Sequence, residues 1–108
     1  MANSYKFLGV NLSTQTETSI LTAAAKDTII IKSIRVTNNT GNTPSISLNV
    51  LDSSNSVEAT ILNTQSLTAD SSVEILTMPL ILESSDVLKA TVSTNDNVNI
   101  GISYLNIT

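Results

Sequence analysis

Residues 28–50 read TIIIKSIRVTNNTGNTPSISLNV, and the spacing of the apolar residues in this stretch decides the fold. In its second half Ile46, Leu48 and Val50 alternate with Ser45, Ser47 and Asn49. A period of two puts one set on each face of an extended chain, the pattern of an antiparallel strand with one face buried. The first half has the same period with a fault in it. Ile29 and Ile31 share one phase while Ile34 and Val36 share the other, so the apolar face changes sides around Lys32 and Ser33. A β-bulge, or a strand passing from one sheet to another, produces such a change. The alternative is that Lys32 snorkels from a strand end. Between the halves, NNTGNTP at 38–44 carries the chemistry of a turn.

The same period extends in both directions. DVLKATVS sets Leu88, Ala90 and Val92 against Lys89, Thr91 and Ser93, and VNIGISYL sets Val98, Ile100, Ile102 and Tyr104 on one side. Turn residues cluster in DSSNS (52–56), NTQSLTADSS (63–72), ESSD (83–86) and STNDN (93–97). These breaks predict about eight strands, near residues 4–10, 16–22, 28–38, 45–51, 57–62, 72–78, 86–93 and 98–107. The expected fold is all-β, a single-domain antiparallel β-sandwich over residues 1–108, with a jelly roll as the topology it would suit. Helical spacing nowhere outcompetes this period, and the one candidate helical turn, LTAAAKD at 21–27, is too short to stand alone.

Composition narrows the function. The 108 residues suit one core, and the charged share of 13% is about half the usual one, its place taken by Ser, Thr and Asn. The net charge is −4, and Lys6, Lys26, Lys32, Arg35 and Lys89 are scattered, whereas phosphate tracking needs clustered cations. Nucleic acid is therefore not an expected partner. No cysteine is present, which excludes disulfides and thiolate metal sites. MANSYKFLGV lacks a basic n-region with a long apolar run, and no stretch has the length of a membrane span, so neither secretion nor a membrane is expected. The N-x-[ST] triplets at Asn11, Asn38 and Asn106 then carry no weight.

Few residues offer chemistry. Without His or Cys, the nucleophile–base arrangements of the common hydrolases cannot be written. A carboxylate pair such as Asp52 and Asp96 is the remaining acid–base candidate, but the nine acids are isolated or in turns. NDNVN at 95–99 spaces oxygen ligands as Ca²⁺ prefers but lacks the glycine and closing glutamate of an EF-hand. Gly9, Gly41 and Gly101 cannot form a phosphate loop. Sugar sites on sandwiches use an aromatic platform, and the aromatics here are Tyr5, Phe7 and Tyr104, all read as core or strand-packing residues. No catalytic, cofactor-binding or metal-ligating residue is assigned, and no cofactor is expected.

Three segments together resemble a family of small tailed-phage virion structural proteins. They are IIIKSIRVTNNTGNTPSISLNV, then LILESSDVLKATVST, similar to an apolar pair of positions, a turn and "GD-x-L-x-V", then VNIGISYLNI, similar to "V-x-V-x-x-SYLEI". The resemblance implies a non-enzymatic virion component, a capsid decoration or cement subunit or an accessory subunit of the neck or tail. Its partners would be other virion proteins and copies of itself, with no catalytic residues to carry over. Ser85 stands where the family has glycine before Asp86, so a different turn type is expected there. A skin of short Ser, Thr and Asn side chains loses little rotamer entropy when covered, which also favours assembly. The competing expectation is a carbohydrate- or receptor-binding sandwich displayed on a particle.

Overall fold

The computed structural model describes residues 3–13, 15–76, 78–94 and 97–108. Nine strands run through them: β1 (Asn3–Leu12), β2 (Thr18–Thr22), β3 (Thr28–Asn38), β4 (Ser45–Asp52), β5 (Val57–Ser66), β6 (Ser71–Glu74), β7 (Leu80–Leu82), β8 (Val87–Val92) and β9 (Val98–Ile107). All pairs are antiparallel. Sheet A has the order β1-β9-β3-β6 with β7 also on β3, and sheet B the order β2-β8-β4-β5. β7 pairs with residues 29–31 of β3 and β6 with residues 35–38, so the two behave as one interrupted strand. Counted that way, the order is the eight-position, two-sheet arrangement of a jelly roll.

The break in that edge explains the one strand misplaced by periodicity. In place of one strand over 72–78, β6 ends at Glu74 and β7 begins at Leu80. Pro79, without an N–H, cannot continue a ladder between them.

The phase fault in β3 is a bulge inside sheet A. Ile31 lies opposite Tyr104 and Ser33 opposite Ser103, leaving Lys32 as the extra, exposed residue. Ile29, Ile31, Ile34 and Val36 consequently all face the core, each at most 3% exposed. Glu74 closes the gap beside the bulge: its carboxylate accepts the Ser33 hydroxyl and the Ile34 N–H (2.8 Å), while Ile75 N–H donates to the Ile34 carbonyl (2.8 Å).

The core fills the space between the sheets, with Leu82, Ile100 and Ile102 joining the β3 residues from sheet A, and Ile46, Leu48, Leu88 and Val92 from sheet B. Each such side chain contributes about 1.5–3 kcal/mol by leaving water. Tyr104 packs on this cluster as expected. Two polar side chains among the described residues are buried as well, Asn38 and Asp86. Asn38, fully enclosed at the end of β3, donates from Nδ2 to the carbonyls of Asn42 (2.8 Å) and Thr68 (3.3 Å), and its Oδ1 accepts the Thr40 N–H (3.0 Å) and hydroxyl (2.7 Å). One amide thereby ties the 38–44 loop to the turn before β6.

LTAAAKD forms no helical turn: β2 runs through Thr22, and Asp27 N–H closes a four-residue turn on the Ala24 carbonyl (3.0 Å) with Lys26 at φ 71°. A β-turn suffices because the chain there only passes from sheet B to sheet A. At 83–86, Ser85 adopts φ 70° itself, and Asp86 N–H bonds the Glu83 carbonyl (3.0 Å). Positive φ at the third position is the geometry of a type II turn that glycine favours, and here serine bears its strain.

Candidate functional site

In an antiparallel ladder, directly opposed residues share a face. The outward face of sheet A can therefore be laid out as rows. One row is Tyr5, Leu105, Ile30 and Ile81, apolar across β1, β9, β3 and β7. Tyr5 is 81% exposed and Ile81 56%. The next row along is Phe7, Ser103 and Ser33; the third is Gly9, Gly101, Arg35 and Glu74; the fourth is Asn11, Asn99, Thr37 and Ser72. One end of the face is thus apolar and the other polar.

The glycine row forms the floor of an open trough of about 510 Å³, with Phe7 on one side and Asn11, Asn99 and Arg35 around it. Phe7 leans along β1 over both glycines. A Cβ at Gly101 would lie 3.1 Å from Phe7 Cε1 and 3.2 Å from Cζ, and one at Gly9 3.5 Å from Cε2. Glycine here permits close approach of a ring to the backbone. The ring stays 71% exposed.

This corrects the reading of Tyr5 and Phe7 as core residues; Phe7 does pack on strands, but on their outward face. Leu8, Val10 and Leu12 hold the inward phase of β1, which sends Tyr5 and Phe7 to the outside. Lys6 shares the inward phase, opposite Tyr104, yet is exposed where the sandwich opens. β1 is an edge strand paired with β9 without a register shift. A cation pointing inward on such an edge discourages unwanted pairing.

Burial pushes the Glu74 carboxyl up, but bonds from Ser33, Ile34 and Leu76 and the nearby Arg35 outweigh it and hold the group below the ordinary carboxylate range. Among the described residues the ion pairs lie on sheet B instead, where Lys89 Nζ is 3.2 Å from Glu58 and 3.9 Å from Glu17. Asn49 Nδ2 also bonds Glu17 (2.8 Å). Such half-exposed pairs contribute little.

Asp52, one half of the candidate acid–base pair, ends β4. Its partner in that pair, Asp96, lies outside the described residues, as does Asn95 of the NDNVN loop. Asn99 of that loop is on β9, in the trough. Asp52 approaches Glu83 and Asp86, with one oxygen from each carboxylate within 4.8 Å of the others. Backbone donors already meet Asp86, Ser53 N–H at Oδ1 and Glu83 N–H at Oδ2 (both 3.0 Å). Bonds from Asn55 and Ser54 hold the Asp52 carboxyl below its ordinary value. These contacts make the group a clasp between the 52–56 and 83–86 turns.

No protein-family model matches the chain, and no curated protein matches it by sequence. Solved structures share its fold. The nucleoplasmin-like N-terminal domain of Drosophila FKBP39 superposes with a TM-score of 0.57 at 16% identity, covering 96% of this chain and 91% of that one. The Drosophila NLP core, whose structure bears on pentamer formation and histone binding, gives 0.53 at 18% identity, with 95% and 99% covered. A chain of infectious bursal disease virus, Gx strain, gives 0.60 at 11% identity over 96% of this chain and 32% of that one, so this chain spans about a third of it. At these identities the likeness is one of fold. No helix among the described residues is long and apolar enough to cross a membrane.

Proposed function

We propose that the chain is a non-enzymatic structural subunit of a tailed-phage particle, a capsid decoration or cement protein or an accessory subunit of the neck or tail, made in the host cytoplasm and assembled with copies of itself and other virion proteins. The observation that carries this reading is the apolar row Tyr5, Leu105, Ile30 and Ile81, which crosses four strands on an outward face. Met78, 74% exposed, belongs to the turn leading into β7 and adds to the apolar surface. Covering Tyr5, Ile81 and Met78 against a neighbour would yield on the order of 4–6 kcal/mol before costs. Loss of free motion on association is of similar size, so one contact is weak and many copies on a lattice hold firmly.

The resemblance of the three segments to phage virion proteins supports the reading, as does the use of the same fold in a virus and in a pentamer-forming core. The test is cryo-EM of particles released from cells carrying the gene, with sedimentation of the purified chain. Sandwich density at fixed lattice positions, reduced at least about tenfold in occupancy by Tyr5→Ser with Ile81→Ser, is the expected result. A chain that sediments as a monomer at high concentration and is missing from every particle refutes it.

A further inference from the structure

The polar end of the same face has a different character from the apolar row. Gly9 is four residues from Tyr5, which at the strand rise places the trough about 13 Å along β1. Three features there point to one ligand chemistry. Phe7 lays its ring over a floor without side chains and remains 71% exposed, so the ring is a platform with an open side. The groups around it are amides and a guanidinium, Asn11, Asn99 and Arg35, which together offer donors and acceptors at short spacing. The volume, about 510 Å³, lies within the range of small-ligand sites, and all of these side chains stand on paired strands, so the site is formed before a ligand arrives.

A polyhydroxylated ring matches this set. Each sugar hydroxyl both donates and accepts, and a pyranose presents a C–H face to an aromatic ring. A phosphorylated ligand matches less well, because Arg35 is the single cation lining the trough and Glu74 lies opposite it across the ladder. We propose that the trough is a saccharide-binding site in which one pyranose stacks on the open side of Phe7 while Asn11, Asn99 and Arg35 bond its hydroxyls. The inference stands on the trough alone and holds whether or not the apolar row serves assembly.

The test is an amide NMR titration of the full chain with hexasaccharides of glucose, N-acetylglucosamine and galacturonic acid, each raised to about 10 mM, the range in which single-ring contacts are detected. At least one probe should move the Gly9, Arg35 and Gly101 amides saturably. Phe7→Ala should weaken that probe at least about tenfold. Gly101→Ala, whose methyl group displaces the ring, should act in the same direction while the remaining spectrum stays that of the folded chain. Tyr5→Ala, an exposed aromatic in the neighbouring row, should leave sugar binding unchanged and lower particle occupancy, which separates this site from the assembly surface. Failure of all three probes to move these amides, or full binding by Phe7→Ala, overturns the proposal. So does broadening of the same amides with protein concentration alone, since a second copy would then occupy the trough.

Discussion

Replacing Asn38 should cost more than any other single polar change among the described residues. The side chain is fully enclosed and makes four hydrogen bonds, three of them to the backbone of Thr40, Asn42 and Thr68. Asn38→Ala removes these partners at once. Each lost bond costs about 1 kcal/mol net, and a backbone group left dry costs about 1–3 kcal/mol, so with water reaching some of the loop the total is about 2–4 kcal/mol. That is a large part of the roughly 5–15 kcal/mol that holds a domain together, and it corresponds to a fall in Tm of about 10–20 °C. Urea unfolding should show a lower midpoint with an unchanged slope. Asn38→Asp sharpens the test. It keeps an acceptor for Thr40 but turns a carboxylate oxygen toward the carbonyls of Asn42 and Thr68. Burial and repulsion raise the folded-state pKa of the new acid above its unfolded value of about 3.9. The variant should therefore be at least as unstable as Asn38→Ala at pH 7, recover as pH falls through the raised value, and level off below the unfolded one. Stability of Asn38→Ala within about 1 kcal/mol of the parent, or no recovery of Asn38→Asp on acidification, would refute the account.

Glu74→Gln should destabilise by about 1–2 kcal/mol, because an amide cannot accept the Ser33 hydroxyl and two backbone N–H groups as a carboxylate does. The folded pKa of Glu74 lies below its ordinary 4.5, so its contribution is present above that pH and disappears as pH falls through the lowered value; in acid melts the gap between variant and parent should close there, and a constant gap contradicts the role. Ser85→Gly should raise stability by about 0.5–1 kcal/mol by relieving a positive φ, and a lower Tm would show that the serine is not strained. Lys6→Val should promote self-association along the β1 edge, read by sedimentation velocity; an unchanged profile removes the protective role assigned to Lys6.

The sandwich was legible because its inward faces obey a period of two with little interference. Ile46, Leu48 and Val50, and Leu88, Ala90 and Val92, all point where alternation places them. The phase fault at Lys32 also signalled its own bulge, although sequence could not choose between a bulge and a crossing until Ser33 was seen opposite Ser103. The outward face was hidden for a physical reason. Periodicity gives the phase of one strand but no register between strands, so Gly9 and Gly101 were two isolated residues 92 positions apart until the β1–β9 ladder set them opposite each other. Phe7 was misread for the same reason, since alternation alone does not say which phase of a ten-residue edge strand meets the core. Ser85 shows a limit of another kind: serine can occupy the left-handed region at modest cost, so the residue type at one position does not settle the turn type.

β9 is both the final strand of the described chain and the one between β1 and β3 in sheet A. Until residues 98–107 are in place, β1 has no ladder partner and one side of β3 is bare. Closure of sheet A on a ribosome must then wait for residues 98–107 to emerge, and joining Asn3 to Ile107 makes the search a long one, in the milliseconds-to-seconds class of non-local β folds. Up to that moment the isoleucine-rich β3 is a sticky hairpin partner in search of a mate, and deleting residues 98–107 should send the product to inclusion bodies rather than yield a looser version of the same sandwich.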